Sequence, residues 1–414
     1  MFLHTIEKVS SMPTKYSKKF KPERGYLFKA ICKDKKYREK ISNSTIKNRV
    51  KPYPNELFTS WISRNATINF LQTPTFINYY FPEYKNKLLN RDTDIMLDKK
   101  MSENFANRML LKAEDIFQTS LQSYVGYLNE TIVSNTRNPL ISPVKIKGSY
   151  PKIKGLRYCP ECLREKDYFR KEWRLSFYTI CPKHRCFMLD KCPQCSEPIL
   201  ITKRKLNVES FNCWNCGHIF KNSDAEGLPK KSFTIKYLNN IMDILNKGFF
   251  KFEYRLFHSI SYFIVLKHIT KLIVLREFRN IPIYDRLCND FDINVRNSSA
   301  MKSKFLEETM SLKELFVVYN TASHIMLSRK NMDLFIKTHK IQYSDLKRDM
   351  PYIPFWYESI IDNYRKYNYN ISNSEIKSAY EWLLKNNIKP TYTNLGKLMG
   401  IYLDKRRIVL PMIK

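Results

Sequence analysis

The chain has 414 residues, 43% hydrophobic and 14% aromatic, so it can form two or three domains with apolar cores and is not of the disordered class. It carries 72 Lys and Arg against 39 Asp and Glu, a formal net charge of +33. This surplus favours a polyanionic partner, either nucleic acid or an anionic membrane. An AT-rich genome that favours Lys codons is the alternative source of the excess.

Residues 1–51 form a basic N-terminal extension with fifteen Lys and Arg against four acids. They are either an arm that contacts phosphate or a poorly ordered extension. The first twenty residues lack the long apolar core of a secretory signal, and the apolar run Tyr262–Leu266 is soon broken by Lys267 and His268. We therefore expect a cytoplasmic protein with no membrane partner.

A helical domain is predicted over residues 52–150. Asn55, just after Pro54, is expected to cap a helix that carries Phe58 and Trp61 at helical spacing. The apolar pattern in residues 105–128 predicts a further helical stripe that faces a core.

The middle of the chain holds four successive pairs of metal-binding residue types, each with C-x2-C or C-x2-H spacing. Each pair delivers two ligands from one tight turn, and the gaps of eighteen residues after Cys162 and seventeen after Cys195 suit a return to the same ion. Two closed sites, and so two zinc ions, are predicted. The expected ligands are Cys159, Cys162, Cys181 and His184 in the first site and Cys192, Cys195, Cys213 and Cys216 in the second.

Alternatives remain at both sites. Cys186 lies two residues beyond His184, and His218 lies two beyond Cys216, so either can replace its neighbour as a ligand. The cysteines can also be reduced thiols without bound metal. A disulfide framework is disfavoured, because the cysteines are clustered. The sequence thus predicts a mainly α fold with a central zinc-binding module of short strands and knuckles over residues 155–222.

The same residues carry a family resemblance. The run YCPECLREKDYFRKEWRLSFYTICPKHRCFMLDKCPQCSEPI and the upstream segment KPYPNELFTSWISR resemble the TniQ/TnsD family of transposon target-site selection proteins. The resemblance covers residues 50 to about 220. It implies a non-catalytic targeting subunit that binds DNA, directly or through an RNA-guided effector complex, and recruits an AAA+ ATPase regulator of transposition and the transposase.

A second helical domain is predicted over residues 230–360. The apolar positions Leu238, Ile241, Met242 and Leu245 predict a helix that Gly248 terminates. A second amphipathic segment is expected from Leu256 to Phe278, and the pattern from Leu312 to Ile341 predicts two helices joined near Ser328.

Residues 372–414 have a helix-turn-helix-like pattern. A helix over Glu375–Lys385 is followed by a second that Thr391 or Thr393 can cap, with Leu395 and Leu398 facing inward and Gly400 in the turn. A last helix over Tyr402–Leu410 can enter a major groove, although plain packing is an equal alternative. The candidate DNA-binding residues are Asn394, Lys397, Lys405, Arg406 and Arg407.

No pattern in the sequence points to catalysis. No residue spacing matches the carboxylate triad of a transposase, the nucleophile of a recombinase or a phosphate-binding glycine loop. Two functions remain: the transposon target-site selector and, as the alternative, a stand-alone zinc-containing transcription regulator. Duplex DNA and the AAA+ regulator are the expected partners, and an RNA-guided complex and a second copy of the chain are further candidates.

Overall fold

The computed structural model describes residues 45–134, 136, 138–144, 156–205, 210–228, 233–278, 310–365 and 372–400. The chain divides into two compact units, Met1–Ile360 and Ile361–Lys414. Helices dominate the described residues, and the strands are short and pair only as two-stranded hairpins. The predicted mainly helical fold class is confirmed, whereas the predicted boundaries between domains stay predictions.

The first unit begins with a layer of short helices around an aromatic core. Phe58 and Trp61 are fully buried with Phe81 and Phe105, and the last two rings stack with centroids 3.6 Å apart. The helices are α1 (Phe58–Ile68), α2 (Thr73–Tyr80), α3 (Lys85–Asn90), α4 (Thr93–Met96), α5 (Lys99–Met109) and α6 (Ala113–Phe117).

Helix α1 begins later than the sequence predicts. Asn55 is not its cap: this residue has φ 56° in a turn, and Leu57 occupies the N-cap position without a side-chain hydrogen bond. Groups that are distant in sequence instead accept hydrogen bonds from the N–H groups at the start of the helix. The N–H of Leu57 donates to the carbonyl of Phe169 at 2.8 Å, and the N–H of Thr59 donates to the carboxylate of Asp94 at 2.8 Å. Tertiary contacts therefore replace the local cap.

The expected stripe over residues 105–128 is divided. Helix α5 ends where Leu110 adopts a left-handed conformation with φ 50°, which leaves its side chain 58% exposed. Helix α6 and a 3-10 turn over Leu121–Tyr124 follow. Ile116 and Leu121 are buried as expected.

The central module has an aromatic core of its own. Phe169 contacts the rings of Trp173, Phe211 and Phe220, with centroids 5.2–6.3 Å apart. Its elements are α7 (Pro160–Glu165), a 3-10 turn (Lys171–Arg174), β1 (Ile180–Cys181), β2 (Cys186–Phe187) and 3-10 turns at Ile201–Lys203 and Phe220–Asn222.

A buried arginine joins the module to the helical layer. The guanidinium of Arg174 is fully buried and donates to the carboxylates of Asp92 and Asp94, the latter at 2.8 Å, and to the carbonyl of Ser142 at 3.0 Å. Burial raises the pKa of Asp94 to about 6, although the charge of Arg174 opposes the rise. Because buried charges are tolerated only when paired, this cluster specifies how the two layers meet.

We predict that Arg174→Met lowers the free energy of unfolding by about 3–5 kcal/mol, because two carboxylates lose their buried counter-ion. Urea denaturation of the full chain measures the change. As a control, Lys247→Met removes an exposed pair with Asp243 and is expected to change stability by less than about 1 kcal/mol. Equal stability of Arg174→Met and the wild type would contradict the role of the cluster.

The rest of the first unit is helical apart from one hairpin. The predicted helix around Leu238 is confirmed and ends before Gly248, which has φ 79°. The predicted joint at Ser328 is also confirmed, since the Ser328 hydroxyl caps the second helix of that pair. The elements are α8 (Phe233–Lys247), β3 (Phe249–Phe252), β4 (Arg255–His258), α9 (Ser259–Phe278), α10 (Leu312–Ile325), α11 (Arg329–Thr338), α12 (Tyr343–Lys347) and α13 (Phe355–Ile361).

The segment expected to begin a helix at Leu256 starts instead as strand β4, and the helix α9 begins at Ser259. Hairpin pairing with β3 explains the difference, since it holds residues 255–258 extended. Among the described residues, no helix has both the length and the apolar character that crossing a bilayer requires.

In the second unit both predicted helices are present, and the second has Thr391, one of its two predicted caps. Helix α14 spans Asn373–Lys385, and α15 spans Tyr392–Met399 with the Thr391 hydroxyl accepting from the N–H of Asn394. Gly400 follows with φ 65°. Leu395 is fully buried, but Leu398 is 42% exposed, so the expectation that both leucines face inward was wrong for Leu398. The predicted last helix lies outside the described residues.

Candidate metal centre

The first Cys/His cluster is assembled by a short helix and a tight hairpin. Pro160 begins α7 directly after Cys159, and one turn of this helix places Cys162 beside it. Cys181 ends β1, and the turn that follows delivers His184, with Arg185 in the left-handed region at φ 52°. The chain positions two pairs of ligands by local geometry, and β1 and β2 bring the second pair to the first.

The four predicted ligand atoms of this cluster converge. The Nδ1 atom of His184 lies 3.5 Å from the Sγ of Cys159, 3.3 Å from that of Cys162 and 3.4 Å from that of Cys181. The Sγ atoms of Cys162 and Cys181 are 3.7 Å apart. All four atoms lie within 4.8 Å of one another.

These separations suit one tetrahedral zinc ion. Zn–S bonds of about 2.3 Å and Zn–N bonds of about 2.0 Å give tetrahedral edges of about 3.8 Å between sulfurs and about 3.5 Å between sulfur and nitrogen. The observed edges of 3.3–3.7 Å are close to both values. The donor set of three thiols and one imidazole is also one that zinc prefers.

Glu165 supports His184 from outside the cluster. Its Oε1 atom lies 3.0 Å from the Nε2 atom of His184. A hydrogen bond on the far ring nitrogen leaves Nδ1 unprotonated and fixes the ring, as is usual for a histidine that binds metal. The hydrogen bonds from Lys183 and then His184 lower the pKa of Glu165, so this carboxylate is ionised and accepts. Glu165 was not predicted as a site residue, because nothing in the sequence spacing indicates that it approaches His184.

Cys186 also borders the first cluster. Its Sγ atom lies 3.7 Å from that of Cys159, at the register position opposite Cys181 in the β1–β2 hairpin. Hydrogen bonding among the thiols, chiefly with Cys162, lowers the pKa of Cys159 to about 7. Donation to Cys159 and Cys181 raises the pKa of Cys186. This arrangement suits a thiol that hydrogen-bonds to the ligand set.

The second cluster contains thiols alone. The Sγ atoms of Cys192 and Cys216 are 3.6 Å apart, those of Cys195 and Cys213 are 3.5 Å apart, and all four lie within 4.8 Å of one another. The alternative ligand His218 points elsewhere, because its Nε2 atom lies 2.8 Å from the hydroxyl oxygen of Ser223. Cys216 is exposed, so this cluster lies nearer the surface than the first.

Residues 48–188 match the family model of TniQ. The match covers 141 of the 414 residues, so it identifies a TniQ domain in this part of the chain. Comparison with curated proteins finds no significant match. The TniQ match associates the chain with transposition and target-site selection.

The TniQ match covers both the helical layer and the first metal cluster. It begins just before α1 and ends one residue after β2, so it includes Asp92, Asp94, Arg174 and all the ligand atoms around His184. The second cluster begins at Cys192, beyond the match. The match thus coincides with the helical layer and the part of the module that holds the first cluster and Arg174.

Two of the predicted DNA-binding residues lie in the described part of the second unit. Lys397 is exposed on α15. The side-chain amide of Asn394 donates to the carbonyl of Lys389 at 2.8 Å, so this group supports the turn before α15. Lys405, Arg406 and Arg407 lie outside the described residues.

We predict two zinc ions per wild-type chain by metal analysis after exhaustive dialysis. His184→Ala is expected to leave one ion, because it removes one of four protein ligands and its support from Glu165. Cys186→Ser, the matched control in the same hairpin, is expected to retain two. Cys195→Ser is expected to lose the second ion and to reduce solubility. If His184→Ala keeps two ions and Cys186→Ser keeps one, Cys186 is the ligand in place of His184.

Proposed function

We propose that the chain is a non-catalytic target-site selector of a transposon that binds duplex DNA and recruits the AAA+ regulator of transposition and, through it, the transposase. The observation that carries this proposal is the TniQ match over a helical layer and metal cluster joined into one packed structure. DNA is engaged directly or through an RNA-guided effector complex.

The proposed ligand sets favour a structural role for both zinc ions. In each cluster four protein atoms lie within 4.8 Å of one another. Together they would fill the four positions of a tetrahedral zinc ion and leave no open position for water or substrate. A closed zinc ion stabilises the fold around it instead of activating a nucleophile. We infer an adaptor whose metal sites hold binding surfaces in place.

The charge of the chain and the form of its second unit support direct contact with DNA. The net charge of +33 attracts a phosphate backbone. Helices α14 and α15 are joined by a turn that the Thr391 cap defines, and α15 exposes Lys397. A recognition helix that carries Lys405, Arg406 and Arg407 would follow this helix pair in the chain.

We predict that removing residues 372–414 weakens binding to an attachment-site duplex and lowers the salt dependence of binding, because phosphate contacts are lost. Fluorescence anisotropy at rising salt concentrations measures both. Lys100→Ala, which removes an exposed charge from the helical layer, serves as the control. If the truncated chain binds as tightly as the full chain, residues 372–414 are not the DNA-binding region.

If the chain is a selector, its transposon also encodes an AAA+ ATPase regulator, and recruitment is tested with that protein. The immobilised wild-type chain is expected to retain that ATPase, and Arg174→Met is expected to retain less, since the layers that carry the TniQ match lose their fixed arrangement. Lys247→Met is the control. Failure of the wild-type chain to retain the ATPase, with and without duplex DNA, would contradict the selector function and favour a stand-alone regulator.

A further inference from the structure

The hairpin β3–β4 has one buried and one exposed face. In its register Lys251 lies opposite Leu256, and Phe249 lies opposite His258. Directly opposite residues of an antiparallel pair point to the same face. Leu256 is 68% exposed and Phe249 is 48% exposed, and Tyr254, in the turn, is 97% exposed. The outer face therefore presents large apolar and aromatic groups to solvent.

The inner face anchors the hairpin to the first unit. The rings of Phe250 and Phe252 pack against Trp356, with centroids 5.4 Å and 4.9 Å apart, and Phe250 also contacts Tyr262 at 5.3 Å. These inner phenylalanines are 7% and 5% exposed. The hairpin is thus a supported element whose outer face has a defined shape.

Both ends of the hairpin are also fixed. At its base, a Cβ on Gly248 would lie 2.9 Å from the ring of Tyr127, and the hydroxyl of Ser259 donates to the carbonyl of Tyr127 at 2.6 Å. At its tip, Glu253 pairs with Arg329 at 2.8 Å, and Arg329 donates to the carbonyl of Ser359 at 3.0 Å. A surface ordered before binding loses little entropy when it engages a partner.

The charged side chains around the exposed aromatic and apolar groups of the hairpin favour binding of an anion. Lys251 on the outer face is exposed, and so is Arg255, which lies opposite Phe252 at the tip of the hairpin. Glu253, the one acid in the sequence from Phe249 to His258, is paired with Arg329. Next to Arg329, Lys330 is exposed as well. Exposed aromatic and basic side chains on one ribbon are the combination that stacks on bases or sugars and neutralises phosphates.

We propose that the β3–β4 hairpin is a second DNA-contacting element, which enters a groove of duplex DNA with Tyr254 leading and Lys251 and Arg255 on phosphates. A two-stranded ribbon fits the major groove, and apolar side chains at such tips also wedge into the minor groove. This inference rests on the proposed DNA binding of the chain and adds a contact far in sequence from residues 372–414. It commits to nucleic acid because the hairpin's basic groups are exposed while its acid is neutralised.

The test is anisotropy with a labelled random-sequence duplex and the full chain at several salt concentrations. Tyr254→Ala is expected to weaken binding about tenfold with an unchanged salt slope, since it removes a stacking contact and no charge. Lys251→Ala and Arg255→Ala are each expected to lower the slope by about one. Tyr254→Phe and Lys251→Arg, which keep the ring and the charge, are expected to bind as the wild type does.

Results that would contradict the hairpin proposal differ from those that would contradict the proposed function. If Tyr254→Ala and Lys251→Ala bind like the wild type while removal of residues 372–414 weakens binding, the hairpin proposal fails and the proposed function stands. If the wild-type chain binds no duplex, the hairpin proposal and direct DNA binding both fail, and engagement through an RNA-guided complex is the part of the proposed function that stands. A hairpin that docks a protein would likewise leave DNA binding unchanged in every hairpin variant.

A second measurement uses the wild-type chain and does not depend on the folding of variants. Ultraviolet cross-linking to a duplex that contains 5-bromodeoxyuridine, followed by peptide mass spectrometry, is expected to label the peptide containing Tyr254. Cross-links confined to other peptides would overturn the proposal.

Discussion

The arrangement of the first unit depends on the buried contact of Arg174 with Asp92 and Asp94. Helix α1 also begins at this cluster, because the N–H of Thr59 donates to Asp94. One carboxylate thus serves a helix start and an ion pair contributed by the module. Removing any partner leaves a buried charge or N–H unpaired, so the helical layer and the module stabilise each other.

The proposed metal ions complement this cluster. In its described residues the module has short helices, 3-10 turns and two-residue strands, which bury little area without help from a bound ion. Four ligands around each ion would fix the knuckles, and the aromatic core around Phe169 would then present Arg174 to the helical layer. Binding surfaces would therefore be held rigidly by bound metal ions that take no part in chemistry.

Local signals in the sequence predicted much of this architecture, and long-range contacts account for most of what was missed. Cysteine spacing predicted the two ligand clusters, and the hydroxyls of Ser328 and Thr391 cap helices near the predicted joints. The start of α1 was misplaced because its N–H groups are satisfied by residues distant in sequence, and Asn55 tolerates a left-handed turn. The pairing of Arg174 with residues about eighty positions earlier leaves no periodic pattern. Strand β4 was not predicted either, because its apolar residues also fit a helical pattern.

We expect the first metal cluster and the helical layer to form one cooperative structure. Hydrogen exchange of the full chain, before and after treatment with a zinc chelator, measures this cooperativity. Amides in α1 are expected to lose protection together with those of residues 159–184, because the module that carries Arg174 loosens. Full protection of α1 alongside lost protection in residues 159–184 would contradict it.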